Sequence, residues 1–160
     1  MKKIFLMMVV LGVALAARAE DLAWLTDAAK AQEQAKAEKK LVLLDFTGSD
    51  WCGWCIRLHK EVFSKPEFAE YAKKNLVLVE VDFPNKKKLS DEQQKANQAL
   101  QKKYAVRGYP TIILLDGSGA KVGQLGYDAG VEDFEHADRK TLVAKPATFI
   151  AAIEKVKPGR

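Results

Sequence analysis

Cysteine is scarce in this 160-residue chain, which carries only Cys52 and Cys55. A disulfide scaffold joins distant segments, and a bridge between residues three positions apart would crosslink almost nothing. Histidine is equally sparse, with only His59 and His136. Zinc normally takes four ligands, and no second paired motif supplies them. A c-type haem site needs His directly after the second Cys, where Ile56 stands. An excess of charge of one sign is also missing. The chain has 26 basic and 21 acidic residues. Removing Lys2, Lys3 and Arg18 with the leader described below leaves 23 against 21, a net charge of +2. That is too weak a basic field for a nucleic-acid partner. There is no internal repeat and no low-complexity linker.

What is present begins with an export signal. Lys2 and Lys3 precede an apolar run from Ile4 to Ala16, and Ala17-Arg18-Ala19 is an A-x-A cleavage site. A retained membrane anchor is the alternative, but the run is shorter than the roughly 20 residues that span a bilayer. No cysteine lies near the cleavage point, which speaks against a lipoprotein. The reading is a signal peptide over 1–19 and one domain over 20–160. The exported protein then works in the periplasm or beyond, with no stable membrane insertion after cleavage. With 48% hydrophobic and 29% charged residues, the chain has ordinary globular composition.

The patterning predicts a helix within Leu22–Lys40, where Trp24, Ala28, Ala31 and Ala35 recur at helical spacing. Leu41–Phe46 reads as a buried central strand and Leu76–Val81 as a second. Between them, Cys52–Phe63 suits a helix. Ser64-Lys65-Pro66-Glu67 then matches a capping box that opens a short helix to Lys74. After the lysine-rich loop Pro84–Ser90, Ser90-Asp91-Glu92-Gln93 offers a second capping box, with Leu89 as a staple. The helix that follows has an apolar face of Ala96, Ala99, Leu100 and Tyr104. Thr111–Leu115, a turn at Asp116–Gly119 and Lys121–Leu125 form a hairpin, and Pro146 opens a last helix. Strands that alternate with helices and close on a hairpin predict a mixed sheet with helices on both faces.

The cysteine pair carries the chemistry. A thiol attacks a disulfide as its thiolate, so it needs a lowered pKa and solvent access. At a helix N-terminus the unpaired N–H groups and the dipole stabilise that anion. Cys52 is the expected nucleophile. Cys55, one turn on, is the resolving thiol, and Gly53 permits a sharp turn and close approach of a substrate backbone. A zinc pair and an inert surface pair are the competing readings.

In order along the chain, Asp45-Phe46, Trp51-Cys52-Gly53-Trp54-Cys55 and Gly108-Tyr109-Pro110-Thr111 resemble the three signatures of the thioredoxin superfamily. The likeness runs from Leu41 to Tyr127. Its nearest look is to exported bacterial thioredoxin-like proteins with a Trp-Cys-Gly-Trp-Cys motif. The resemblance implies a thioredoxin fold with an N-terminal helical extension, a Cys52–Cys55 disulfide, and no cofactor or metal. It implies that Pro110 is a cis-proline facing the disulfide, which keeps the Tyr109 backbone free to pair with a substrate. A trans proline opening a strand is the alternative. It also implies that Asp45 relays the proton of Cys55, unless its carboxylate turns to the polar loop. Trp51, Gly53, Trp54, Tyr109 and Thr111 make the expected substrate-binding set, although packing is the plainer role for Trp51.

Three departures stand out. The family often has a Lys on the next strand near this Asp, and Leu76–Val81 has none. Gly48-Ser49-Asp50 is one residue longer than the usual thioredoxin link, and Asp50 places a negative charge near Cys52. The Pro84–Lys103 segment is also longer than in small thioredoxins. The expected activity is thiol–disulfide exchange with exported proteins in the reducing direction, fed by a membrane electron-donor protein, from a monomer. An oxidase or isomerase, and a non-catalytic peptide-binding module, are the alternatives. The Gly53-Trp54 dipeptide matches neither the Gly-Pro of thioredoxin nor the Pro-His of the strong periplasmic oxidant.

Overall fold

The computed structural model describes residues 22–139 and 141–158. The expected leader over 1–19 and the new N-terminus at Glu20 lie outside them. The order is β1 (Trp24–Leu25), α1 (Ala28–Glu38), β2 (Leu41–Thr47) and α2 (Gly53–Leu58), which runs on as a π-helical turn (His59–Phe63). Then come α3 (Pro66–Asn75), β3 (Leu76–Asp82), α4 (Asp91–Lys103), β4 (Thr111–Leu115), β5 (Lys121–Leu125), a 3₁₀ turn (Tyr127–Gly130) and α5 (Pro146–Val156). The strands form one mixed sheet in the order β1-β3-β2-β4-β5. β3 runs parallel to β1 and β2, while β4 is antiparallel to β2 and β5.

Strand parity divides the core in two. Leu41, Leu43, Leu76, Leu78, Ile112 and Leu114 pack with Leu58, Phe63, Phe68, Phe149 and Ile153. That is the face of α2, α3 and α5. Val42, Leu44, Phe46, Val77, Val79, Val81 and Ile113 pack with Ala31 and Ala35 of α1, joined by Leu100 and Tyr104 at α4. Fully burying a side chain such as Phe149 or Ile153 contributes roughly 1.5–3 kcal/mol. The same parity places Asp45, Thr47, Glu80 and Asp82 on the α2 face, where the Cys52–Cys55 turn sits.

Four expectations about local structure need correction. Trp24 belongs to a strand and packs on Phe63, whereas Ala31 and Ala35 pack on the opposite face of the sheet. The helix starts later because Asp27 caps it, accepting from the N–H groups of Ala29 and Lys30 at 2.9 and 3.1 Å. Ser64 does not cap α3. Its Oγ donates to the His59 carbonyl at 2.6 Å, and Lys65 is the cap residue ahead of Pro66. Ser90 does cap α4 and accepts from Gln93 N–H at 3.1 Å, but the Gln93 side chain turns to Thr26 and Asn97 instead of closing the box. Ala96 and Ala99 are exposed, and the buried residue of α4 is Asn97, whose amide donates to the Asp82 carbonyl at 2.8 Å.

Candidate active site

The site is built where β2 ends. Beyond Thr47 the Gly48 carbonyl accepts from the N–H groups of Trp51 and Cys52, at 3.2 and 2.9 Å, and so folds the chain into a turn. Gly48 is needed for space, because a Cβ there would lie 2.5 Å from the Trp51 indole. Cys52 is the N-cap of α2, its Sγ accepts from Cys55 N–H at 3.2 Å, and the two cysteines are joined as a disulfide. Cys52 is more enclosed than expected, at 7% exposure, because its sulfur folds inward onto Cys55 and the first turn of the helix. Gly53 does not use a glycine-only conformation. Positive φ among the described glycines occurs at Gly119, and a Cβ on Gly53 would meet open space.

Aromatic walls stand on both sides of the pair. Trp51, 47% exposed, donates from Nε1 to the Phe83 carbonyl at 2.7 Å and meets the Tyr109 ring edge-on at 5.9 Å. Tyr109 stacks on Phe83 at 5.4 Å. The Tyr109–Pro110 peptide bond is cis. Thr111 Oγ1 donates to the Gly108 carbonyl at 2.8 Å and closes the loop that holds this bond. On the other side Trp54, Tyr109, Pro110, Tyr127, Phe134 and Leu142 line a cavity of about 290 Å³. The fold therefore brings the Cys-x-x-Cys turn and the proline loop to one opening.

Beneath the disulfide is a second cavity, of about 230 Å³, lined by Asp45, Thr47, Ser49, Cys55, Ile56, His59 and Glu80. Asp45 points to the cysteine side and not to the polar loop. Its Oδ1 is buried and has no hydrogen-bond partner among the described residues. Burial pushes its carboxyl up to about 8, helped by the negative charges of Glu80 and Asp82. Glu80, the strand partner of Asp45, is also raised, by burial and then by Asp82, against the pull of Lys87 and His59. Asp50 is spoken for: its carboxylate accepts from the N–H groups of Asn85, Lys86 and Lys87 at 2.9, 2.7 and 3.1 Å. Those bonds, Asn85 first, hold it below the usual carboxylate range. The opposition to a Cys52 thiolate expected from its charge is blunted by these amides. Among the described residues no group of three or more His, Cys, Asp or Glu could hold a metal ion.

Residues 28–138 match the model of a thioredoxin-like domain. The chain belongs to the thioredoxin-like family. Its likeness to the disulfide bond reductase DsbH of Chlamydia pneumoniae is 39% identity over 102 residues, 64% of this chain and 61% of that protein. With the thioredoxin-related protein DsbJ of the same organism it shares 29% over 107 residues, 67% of this chain but 31% of that one. The matches thus span less than two thirds of these curated relatives. A solved DsbH oxidoreductase superposes with a TM-score of 0.73 at 31% identity, covering 88% of each chain. A putative disulphide-isomerase from Bacteroides thetaiotaomicron gives 0.56 at 27%, covering 90% of this chain and all 100% of that one. A defensin-propeptide model also matches residues 1–50, but in this thioredoxin-like domain that stretch includes α1 and the central strand β2.

Sequence reasoning missed a polar cluster on the Trp54 side of the thioredoxin-like domain. The Arg57 guanidinium lies 5.1 Å from the Trp54 ring centre and 5.2 Å from that of Tyr127. It pairs with Glu61 at 3.0 Å and donates to the Leu142 carbonyl. Glu61 also accepts from Tyr127 Oη and from Ala144 N–H. Burial draws the Glu61 carboxyl upward, but these donors outweigh it and leave it below the ordinary range. Burial, then Glu61, pushes the Tyr127 phenol up to about 12. Arg57 and Glu61 at i,i+4 were a visible helix pair. Nothing local pointed to Tyr127 or Ala144.

Proposed function

We propose that this protein is a thiol–disulfide oxidoreductase that reduces disulfides in exported proteins through the Cys52/Cys55 dithiol. The observation that carries this reading is a disulfide at the head of α2, with the Tyr109–Pro110 loop beside it and, below it, the buried carboxyl of Asp45 with Oδ1 unpartnered among the described residues. The Cys52 thiolate attacks a client disulfide and forms a mixed disulfide. Cys55 then attacks Cys52 Sγ and closes the Cys52–Cys55 bond, and the client leaves with two electrons and two thiols. Asp45 accepts the Cys55 proton. Trp51, Gly53, Trp54, Tyr109 and Thr111 border the seat of the client backbone. The name of DsbH, a disulfide bond reductase, supports the reducing direction. The oxidised pair must be recharged by a dithiol donor, for which a membrane electron-donor protein is the natural partner of an exported monomer. Residues 1–19 act as the export signal. Among the described residues no helix is long and apolar enough to cross a membrane.

Three measurements test the reading. Cys52→Ser is expected to abolish disulfide reduction, and Cys55→Ser to accumulate a covalent client adduct. Equilibration with defined dithiol buffers should give a potential near the roughly −270 mV of thioredoxin. A value between about −120 and −180 mV overturns the direction and makes the protein an oxidase or isomerase. Full client binding and phenotype in a Cys52→Ser/Cys55→Ser double variant would instead mark a peptide-binding module.

A further inference from the structure

We infer that Asp45 and Glu80 work as one carboxyl pair holding a single proton, and that Glu80, acting through Asp45, passes the Cys55 proton to and from solvent. This rests on the thiol–disulfide reading above. β2 and β3 are adjacent parallel strands in which Asp45 and Glu80 are direct partners. Parity turns both toward α2, and both line the cavity of about 230 Å³ that also touches Cys55 and His59. Since a water occupies about 30 Å³ of liquid, that space accommodates a short water bridge. Asp45 is the closed end, buried with one oxygen unpartnered, so its neutral acid is strongly favoured. Glu80 is the open end, half-buried at the wall.

The charged surroundings sort the proton in the same sense. Asp45 faces Glu80 and Asp82, both negative, while Cys55 lies above it and Ile112 of β4 beside it. Glu80 faces Asp45 and Asp82, but also Lys87 from the loop after β3 and His59 from the π-helical turn, both of which favour its charge. Asp82 stays out of the exchange, because Ser49 N–H and Oγ donate to its two carboxylate oxygens at 2.9 and 2.6 Å. The proton therefore rests on Asp45 and the negative charge on Glu80.

The exchange balances. When Cys55 attacks the mixed disulfide, its S–H bond breaks, the Cys52–Cys55 bond forms and the client sulfur leaves with the electron pair of its bond to Cys52. The Cys55 proton goes to Asp45, whose carboxylate exists at that moment because the pair's proton has moved to Glu80 and out. Asp45 is then protonated again, as at rest, so the pair keeps its single proton and one proton in all has gone to solvent through Glu80. Reduction of the disulfide by a dithiol donor runs these transfers backward.

The test compares the full chain with Glu80→Gln and Glu80→Asp. In the oxidised proteins the Asp45 carboxyl is titrated by carbon-13 NMR. In the reduced proteins the pH profile of mixed-disulfide resolution by Cys55 is followed. The Asp45 midpoint is expected to fall by about one pH unit in Glu80→Gln, since a facing like charge is gone, and to return toward wild type in Glu80→Asp. The resolution profile is expected to move with it. An unmoved midpoint, or a moved midpoint with an unmoved profile, overturns the inference. Should Glu80→Gln not fold, wild type decides: shared titration shows two steps at both carboxyls, and a single step at Asp45 refutes the pair. If wild type resolves no mixed disulfide at any pH, the functional reading fails, while the titration still decides the pair.

Discussion

Replacing Asp45 with Asn should make the protein more stable, increasingly so between pH 5 and pH 8. The Asp45 carboxyl titrates at 3.8 in an unfolded chain and at about 8 in the fold. Below pH 3.8 both states are protonated and Asp45 costs nothing. Between the two values the folded state retains a proton that the unfolded state has lost. Stability therefore falls as pH rises, by at most about 1.4 kcal/mol per pH unit, and the loss is complete above the folded value. The full gap corresponds to about 5–6 kcal/mol, and at pH 7 the loss is about 4 kcal/mol. Asn does not titrate. The assay is urea unfolding of the oxidised protein and of Asp45→Asn at pH 5, 6, 7 and 8. The difference between the two curves removes the titration of every distant group. A difference that widens steadily from pH 5 to 8 is expected. Parallel curves would mean that Asp45 is not a buried acid holding its proton, and the account of the site beneath Cys55 would fail.

Two further outcomes follow from the walls of the site. Gly48→Ala places a methyl against the Trp51 indole and breaks the Nε1 bond to Phe83, so a loss of about 1–3 kcal/mol is expected on thermal unfolding, together with altered tryptophan fluorescence. Unchanged emission would show that the turn yields freely. Glu61→Gln removes the carboxylate that Arg57, Tyr127 and Ala144 share. The Tyr127 phenol should then titrate well below about 12 by ultraviolet absorbance, and a midpoint that stays put would deny the coupling.

Much of this fold was legible because its signals are local. β4 and β5 have the bounds read on either side of the Asp116–Gly119 turn, and α5 begins at Pro146 as expected. Alanine marked the buried face of α1 at Ala31 and Ala35 but misplaced that of α4. Ala96 and Ala99 lie in solvent while Asn97 is inside, since an alanine methyl gains little on burial and the Asp82 carbonyl gives the amide a partner. Trp24 kept helical spacing with Ala28 by coincidence, and β1 is too short to show a period of its own. In the site, contiguous motifs marked Cys52, Cys55 and Tyr109–Pro110. Glu80 and the Glu61–Tyr127–Ala144 cluster escaped notice because they converge from segments far apart in sequence. Their meaning lies in strand register and in the return of the chain through the 3₁₀ turn.

Trp51 and Trp54 are fastened to different parts of the chain. Trp51 is tied to Phe83 and the loop that Asp50 binds, and Trp54 to Tyr127 and Arg57 near the long passage into α5. The sulfur pair thus stands in a doorway whose two jambs are fastened to different segments, with Tyr109 bordering both. Either jamb can be recut, by lengthening the 84–90 loop or reshaping 131–145, while the other jamb and the disulfide keep their seats. Under the proposed function, specificity for clients can drift on one side at a time while the Cys52–Cys55 chemistry is kept.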